Sequence, residues 1–285
     1  AADKGHVQAI RKAAEFYLNG NGTKPNLLNA MNYFSKAAEL NDVQAQADLG
    51  SIYLAGDESV RDPKKAFPLL EKAAQAGHPH AQQNLGVMYR DSIGVQQDLS
   101  KALDLTEKAA IGGNADAMAN MHAFYFEGQG VKKDMALSGQ WLIKSAKAGN
   151  VNAQYFLYTN YLSKKSELVP HDIPKAIQFL KMAADNLHPD SLNDMGIYYS
   201  NGQHGFEKRF DVASMYFAMS ASKGSSIGKK NINLAKKSLK TATIGVEMSK
   251  MTVGFNESSS EVGRLPKGTE VWIIQQSNKT QLMVY

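Results

Sequence analysis

The sequence predicts an all-α fold: a right-handed α/α solenoid of stacked helix pairs, with a small β-rich segment at its C-terminal end. Three observations predict it. Tyr17, Tyr53, Tyr89, Tyr125 and Tyr161 stand 36 residues apart, and Tyr199 follows after 38. Asp62, Asp98 and Asp134 keep the same interval, and so do Gly77, Gly113 and Gly149. Self-similarity at a fixed period of this size marks a repeat architecture in which each unit is one supersecondary element.

Each part of the unit has a physical reason. Ala45, Leu49 and Tyr53 fall at i, i+4 and i+8, one face of a helix. Gly50 stands where a neighbouring helix must approach closely. Gly56, like Gly20, Gly128 and Gly202, marks the end of that helix, where glycine suits a left-handed terminal residue. Asp62 is placed to cap a second helix, with Pro63 at its first position. Ala66, Leu69, Leu70, Ala73 and Ala74 form that helix's apolar stripe, and Gly77 ends it. Six such units read along the chain at roughly 7–42, 43–78, 79–114, 115–150, 151–188 and 189–224. One unit cannot bury its own apolar face. Stacking builds a continuous core, and the curvature of the stack leaves a concave groove.

Composition narrows the function classes. The chain has 285 residues, of which 43% are apolar and 21% charged, ordinary values for a soluble domain. No run of eighteen apolar residues exists, so no transmembrane helix is expected. The net charge of +5 is mild, and part of it gathers between Lys229 and Lys240. There is no cysteine, which excludes disulfides, thiolate zinc sites and cysteine nucleophiles and leaves the compartment open. No signal peptide is visible. Ala1–His6 match the later junction Ala73–His78, so the chain reads as a fragment of a longer protein.

These residues resemble the Sel1-like repeats, relatives of the tetratricopeptide repeats. The third unit carries the pattern as Ala81, Leu85, Gly86, Tyr89, Gly94, Val95, Asp98, Lys101, Ala102, Lys108, Ala109, Ala110 and Gly113. The fourth keeps Gly128, Gly130, Val131, Asp134 and Trp141. The fifth departs most: Tyr158 replaces the core glycine, Lys164 the terminal one, and two residues are inserted before Pro174. The resemblance implies a protein that assembles other proteins, without a catalytic residue in the repeat itself. Among bacterial examples it points to the enhanced-entry proteins of Legionella, envelope-located arrays linked to host-cell entry and to restraint of a cell-wall-degrading enzyme.

After Gly224 the pattern dissolves. Residues 225–242 read as a capping helix with lysines outward, and a solvated cap is preferred to nucleic-acid binding through Lys229, Lys230, Lys236 and Lys237. Residues 243–285 read as β-rich. Glu270–Ile274 and Gln281–Tyr285 are rich in strand formers. Val262–Val271, with its Leu-Pro-Lys-Gly-Thr turn, resembles the middle of a bacterial SH3-like domain, and implies a role near the cell wall.

No constellation for chemistry stands out. His78-Pro79-His80 has two imidazoles close in sequence, but His78 fills the junction slot also held by Asn114, Asn150 and His188, and no carboxylate stands at metal spacing. No metal and no cofactor are expected. Gly128-Gln129-Gly130 joins two helices and follows no strand, so it is no dinucleotide fingerprint. No nucleophile elbow is present.

A partner surface is easier to place. On the first helix of each unit, the equivalents of Ala47, Asp48 and Ser51 point away from the core face at 100° per residue. One outward row then reads Lys12, Asp48, Asn84, Asn120, Phe156, Asp194. Its neighbour reads Arg11, Ala47, Gln83, Ala119, Tyr155, Asn193. Asparagine carries donors and an acceptor that suit an extended peptide backbone, and Tyr155 and Phe156 break the polar stripe with two rings. Asp48, Asn84, Asn120, Tyr155, Phe156 and Asp194 are therefore the candidate partner-binding residues. The bland alternative is a set of solvated positions and locally packed rings.

The expected function is a non-enzymatic protein-interaction scaffold, periplasmic or secreted, whose partner is another protein in the concave groove, such as a cell-wall enzyme. Two alternatives stay open. One is a β-lactam-binding or hydrolysing enzyme, because Helicobacter proteins with a similar repeat are linked to β-lactam binding, although they carry a disulfide per repeat. The other is a peptidoglycan binder acting through the C-terminal segment. A cytoplasmic location also stays open.

Overall fold

The computed structural model describes residues 6–242, 247–252, 270–276 and 279–284. The chain divides into two compact units, Ala1–Asn150 and Val151–Tyr285. The first holds four helix pairs: α1 (Val7–Asn19) with α2 (Leu27–Glu39), α3 (Val43–Ala55) with α4 (Pro63–Gln75), α5 (Pro79–Arg90) with α6 (Leu99–Ile111), and α7 (Ala115–Glu127) with α8 (Met135–Lys147). The second holds α9 (Val151–Leu162) with α10 (Ile173–Asp185), α11 (Pro189–Asn201) with α12 (Phe210–Ser222), and a single α13 (Ser226–Ala242). Odd-numbered helices α1 to α11 open the repeats, and even-numbered ones close them. An antiparallel sheet of order β1-β2-β3 follows: β1 (Glu247–Thr252), β2 (Glu270–Gln276) and β3 (Lys279–Val284). The Leu265–Thr269 turn and the Ala1–Gly5 part of the junction match lie outside the described residues.

Helix starts are fixed by short polar side chains. The Asn26, Asp62, Asp98, Asp134 and Asp172 side chains each accept a hydrogen bond from the backbone N–H three residues on, opening the second helices of repeats one to five. This satisfies an orphan donor of the first turn. In repeats two, three and five, the same aspartate pairs with the lysine of that turn, and this ammonium lies over the period tyrosine: Lys65 over Tyr53, Lys101 over Tyr89, Lys175 over Tyr161. The tyrosine that sets the period is thus held between the two helices of its own repeat.

Helix α3 shows how the stack closes. Ala45 and Leu49 pack with Ile10, Ala14, Ala30 and Phe34 of the preceding repeat. Ala47 and Leu54 pack with Ala66 and Leu70 of α4 and with Ala81 and Leu85 of the next repeat. One first helix is therefore buried on two sides. Gly50 sits where a Cβ would come within 2.7 Å of Leu70 Cγ, so the approach of α4 requires glycine. In the fourth repeat His122 replaces that glycine, and Ser138 stands where the other second helices carry alanine. The two compensate: His122 Nδ1 lies 2.7 Å from Ser138 Oγ.

One expectation needs correction. Gly20, Gly128 and Gly202 are left-handed as expected, but Gly56 is extended, with φ −68°. Its glycine is demanded by space instead, since a Cβ would meet Ile52 O at 2.5 Å and Val60 Cγ2 at 2.6 Å. The irregular fifth repeat packs normally. Tyr158, in the glycine slot, is buried and meets Tyr198 hydroxyl to hydroxyl at 2.8 Å. The inserted loop before α10 is held by Ser166, whose Oγ donates to Asn160 and accepts from the backbone of Leu168.

Candidate functional site

The two rows do not lie equally outward. Ala47, Gln83 and Asn193 are 1%, 7% and 5% exposed, so much of the second row belongs to the core. The cause is the two-sided burial of each first helix: a single core stripe at 100° per residue underestimates the arc that neighbouring repeats cover. In the first row Asp48, Asn84, Asn120 and Asp194 are half-buried rather than exposed, and Phe156 is 43% exposed.

In the first unit the row is tied together between repeats. Asn84 Nδ2 donates to Ser51 Oγ of the preceding repeat at 2.8 Å. Asn120 Oδ1 accepts from the Arg90 guanidinium at 3.2 Å. Gln44 Nε2, one turn upstream, donates to Asp48 Oδ1 at 2.9 Å. Among the described residues the asparagines carry hydrogen-bonding capacity beyond these contacts: Asn84 keeps its carbonyl and a second N–H, and Asn120 keeps its amide donors. Burial pushes the Asp48 carboxyl upward, while the Gln44 hydrogen bond, His78 and Arg11 pull it back down.

In the second unit the structure brings Tyr155 and Asp194 together. Tyr155 Oη donates to Asp194 Oδ2 at 3.1 Å, and its ring stacks on His188 with centroids 4.5 Å apart. Asn193 Nδ2 donates to Asp194 Oδ1 at 3.3 Å. Tyr158 and Tyr198 complete the group, Tyr158 lying 5.6 Å from Tyr155 by ring centroid. Burial raises the Asp194 carboxyl and the phenols of Tyr155, Tyr158 and Tyr198, and lowers the His188 imidazole. At neutral pH the phenols therefore stay protonated donors, and His188 stays uncharged. Tyr158, Tyr198 and His188 were not among the candidate partner-binding residues. The available signal was the joint departure of two slots to tyrosine: Tyr158 where other repeats have glycine, and Tyr198 where they have Ile52, Met88 or Phe124.

Beside this row runs a second hydrogen-bonded line at the helix starts. Asp42, His78 and Asn114 each cap the first helix of the next repeat and also bond within their own repeat, to Arg11, Gln44 and His80 respectively. Asn150 Nδ2 donates to Asp116 in the same manner. His78 is thus a structural cap. Among the described residues no three His, Cys, Asp or Glu side chains gather as metal ligands would, and no helix is long and apolar enough to cross a membrane.

The comparisons with known proteins agree on the repeat. The family model described as Sel1 repeat matches at residues 7–42, 43–78, 79–114, 115–150, 151–186 and 189–225. Among solved structures, the chain is similar to a protective antigen with an SLR fold from uropathogenic Escherichia coli, at 29% identity and a TM-score of 0.65, over 84% of this chain and 50% of that one. The chain thus spans half the length of that antigen. It is similar to a Sel1 repeat protein from Oxalobacter formigenes at 30% identity and a TM-score of 0.63, over 76% of this chain and 85% of that one. An immunity protein from Pseudomonas aeruginosa shares the fold at 21% identity and a TM-score of 0.55, over 78% of this chain and 82% of that one. No curated protein matches the chain.

Proposed function

This chain belongs to the Sel1 repeat family, and from that premise we propose that it is a non-catalytic adaptor that holds a partner protein against the outward faces of its first helices. The observation that carries the reading is the contrast within each first helix. The positions equivalent to Ala45 and Leu49 stay small or apolar and buried in repeat after repeat. One row beside them changes freely among Asp48, Asn84, Asn120, Phe156 and Asp194 and keeps contact with solvent. The repeat fixes no single residue type at this slot, which leaves room for a partner to select it. Phe156 presents a large ring, 43% exposed, on a well-formed helix.

We place the adaptor in the bacterial envelope, with a cell-wall enzyme as the class of partner. The Escherichia coli protein is described as a protective antigen, and an antigen that protects has to be reached from outside the cell, which favours an envelope or secreted location. Affinity capture from an envelope extract, identification of the retained protein, and calorimetry of the purified pair test the reading. Partner affinity should fall in Phe156→Ala. A purified partner that binds wild type and Phe156→Ala equally would refute the assigned face.

A further inference from the structure

We infer that the Asp194 carboxylate, walled by the Tyr155 ring, is an anchor for a lysine or arginine side chain of the partner segment. The inference rests on the reading of the first helices as the partner face, and it names the chemistry the partner must bring there. Asp194 is half-buried and its contacts come from neutral donors: Tyr155 Oη at 3.1 Å, Asn193 Nδ2 at 3.3 Å and the Tyr158 hydroxyl. Among the described residues, no lysine, arginine or histidine pairs with it. Charges withdrawn from water are ordinarily paired, because desolvation costs more than neutral hydrogen bonds return.

The chain's own candidates for a counter-ion fail for visible reasons. His188 is the base nearest in the cluster, but its Nδ1 accepts from the Ser191 N–H and its ring is stacked on Tyr155. Burial lowers its pKa, so it brings no charge at neutral pH. Asp190, one turn upstream and exposed, adds charge of the wrong sign. The equivalent carboxylate in the second repeat is served differently, since Asp48 feels the Arg11 guanidinium. Nor does the fold need a carboxylate at this slot, because Asn84 and Asn120 fill it in the third and fourth repeats. What stands beside Asp194 at the surface instead is the partly exposed Tyr155 ring, and aromatic faces attract cations. A half-buried carboxylate next to that ring matches an ammonium or guanidinium with an aliphatic stem.

The test is an NMR titration of the full chain with N-acetyl-lysine amide, N-acetyl-arginine amide and the neutral N-acetyl-norleucine amide. The cationic amides should shift the backbone resonances of Tyr155, Asp194 and Tyr198, with norleucine amide binding about fivefold more weakly or less. Asp194→Asn, which the repeat itself accommodates as Asn84 and Asn120, should keep the folded spectrum and lose that preference. Equal response to the neutral amide, or a preference unchanged in Asp194→Asn, would overturn the anchor. The outcome is separate from the partner face. No cation response, beside a captured partner that depends on Phe156, overturns the anchor alone. A cation response lost in Asp194→Asn, beside a partner indifferent to Phe156→Ala, supports the cation site and overturns the face.

Discussion

The His78 ring joins two repeats: its Nε2 lies 3.0 Å from Gln44 Oε1 on α3, while its Nδ1 accepts from the Ala81 N–H at the start of α5. The second bond fixes the tautomer, so Nε2 carries the proton and donates to Gln44. His78→Ala removes a cap and the bond to Gln44 and should cost about 1–2 kcal/mol. His78→Asn should recover most of it, because Asn114 does both tasks at the next junction. The two variants also separate in pH. Burial first, then the charge of His80, lower the His78 pKa below its usual 6.5. The unfolded chain then binds more protons below that value, so this contribution is present above pH 6.5 and lost as pH falls through the folded pKa. Urea unfolding at neutral and mildly acidic pH should show a smaller acid loss in His78→Asn than in wild type.

The period, the helix pairs and the caps were legible because they are local. Asp62, Asp98 and Asp134 act on the backbone three residues away, and such chemistry repeats wherever the spacing does. What stayed hidden depends on contacts across repeats. Ala47 looks outward on an isolated helix and is buried by Ala81 and Leu85 of the next repeat. Gly56 looks like a left-handed stop and is extended, because Val60 folds back against it. Tyr155 and Asp194 are 39 residues apart, on first helices of a lengthened repeat and its successor, where strict 36-residue register no longer aligns slots. The His122–Ser138 pair was findable, since glycine and alanine depart together in one repeat.

Gln83 carries a different consequence of two-sided burial. Its side chain is in the core, and Oε1 has no hydrogen-bond partner among the described residues. A buried acceptor left unsatisfied costs roughly 1–3 kcal/mol. Methionine has nearly the same length and no such atom, so Gln83→Met should raise stability by about 1 kcal/mol in urea unfolding. The repeat already accepts apolar residues there, as Ala47 and Ala119. A loss of stability instead would mean that Gln83 has a partner in solution, such as a buried water.

The C-terminal helix closes the last repeat. Ile232 packs with Ala213, Phe217 and Ala218, and Asn231 Nδ2 donates to Asn193 Oδ1 at 2.7 Å. Removing residues 243–285 should leave the six repeats folded, since repeats draw their stability from nearest neighbours. Removing residues 225–242 as well strips that cover and should lower solubility and the unfolding temperature. Circular dichroism on both truncations checks this. Loss of helical signal on the first deletion alone would contradict it.

Phe156 decides between an interaction surface and ordinary packing. Its slot holds Asp48, Asn84, Asn120 and Asp194 in other repeats, so the fold has no standing requirement for a ring. A ring 43% exposed offers close to half of its surface to a partner. Aromatic residues act as interface anchors because they bring large contact area at low entropic cost. Phe156→Ala should therefore weaken partner binding by roughly 1–3 kcal/mol and cost less stability than truncation of a fully buried ring such as Phe124. Asn120→Ala should weaken binding less, because Asn120 also serves Arg90 within the chain and its loss is shared with the fold. Calorimetry with the captured partner and thermal unfolding of both variants separate the cases. Unchanged affinity together with lowered thermal stability in Phe156→Ala would make the ring a packing residue and remove the face assigned to the partner.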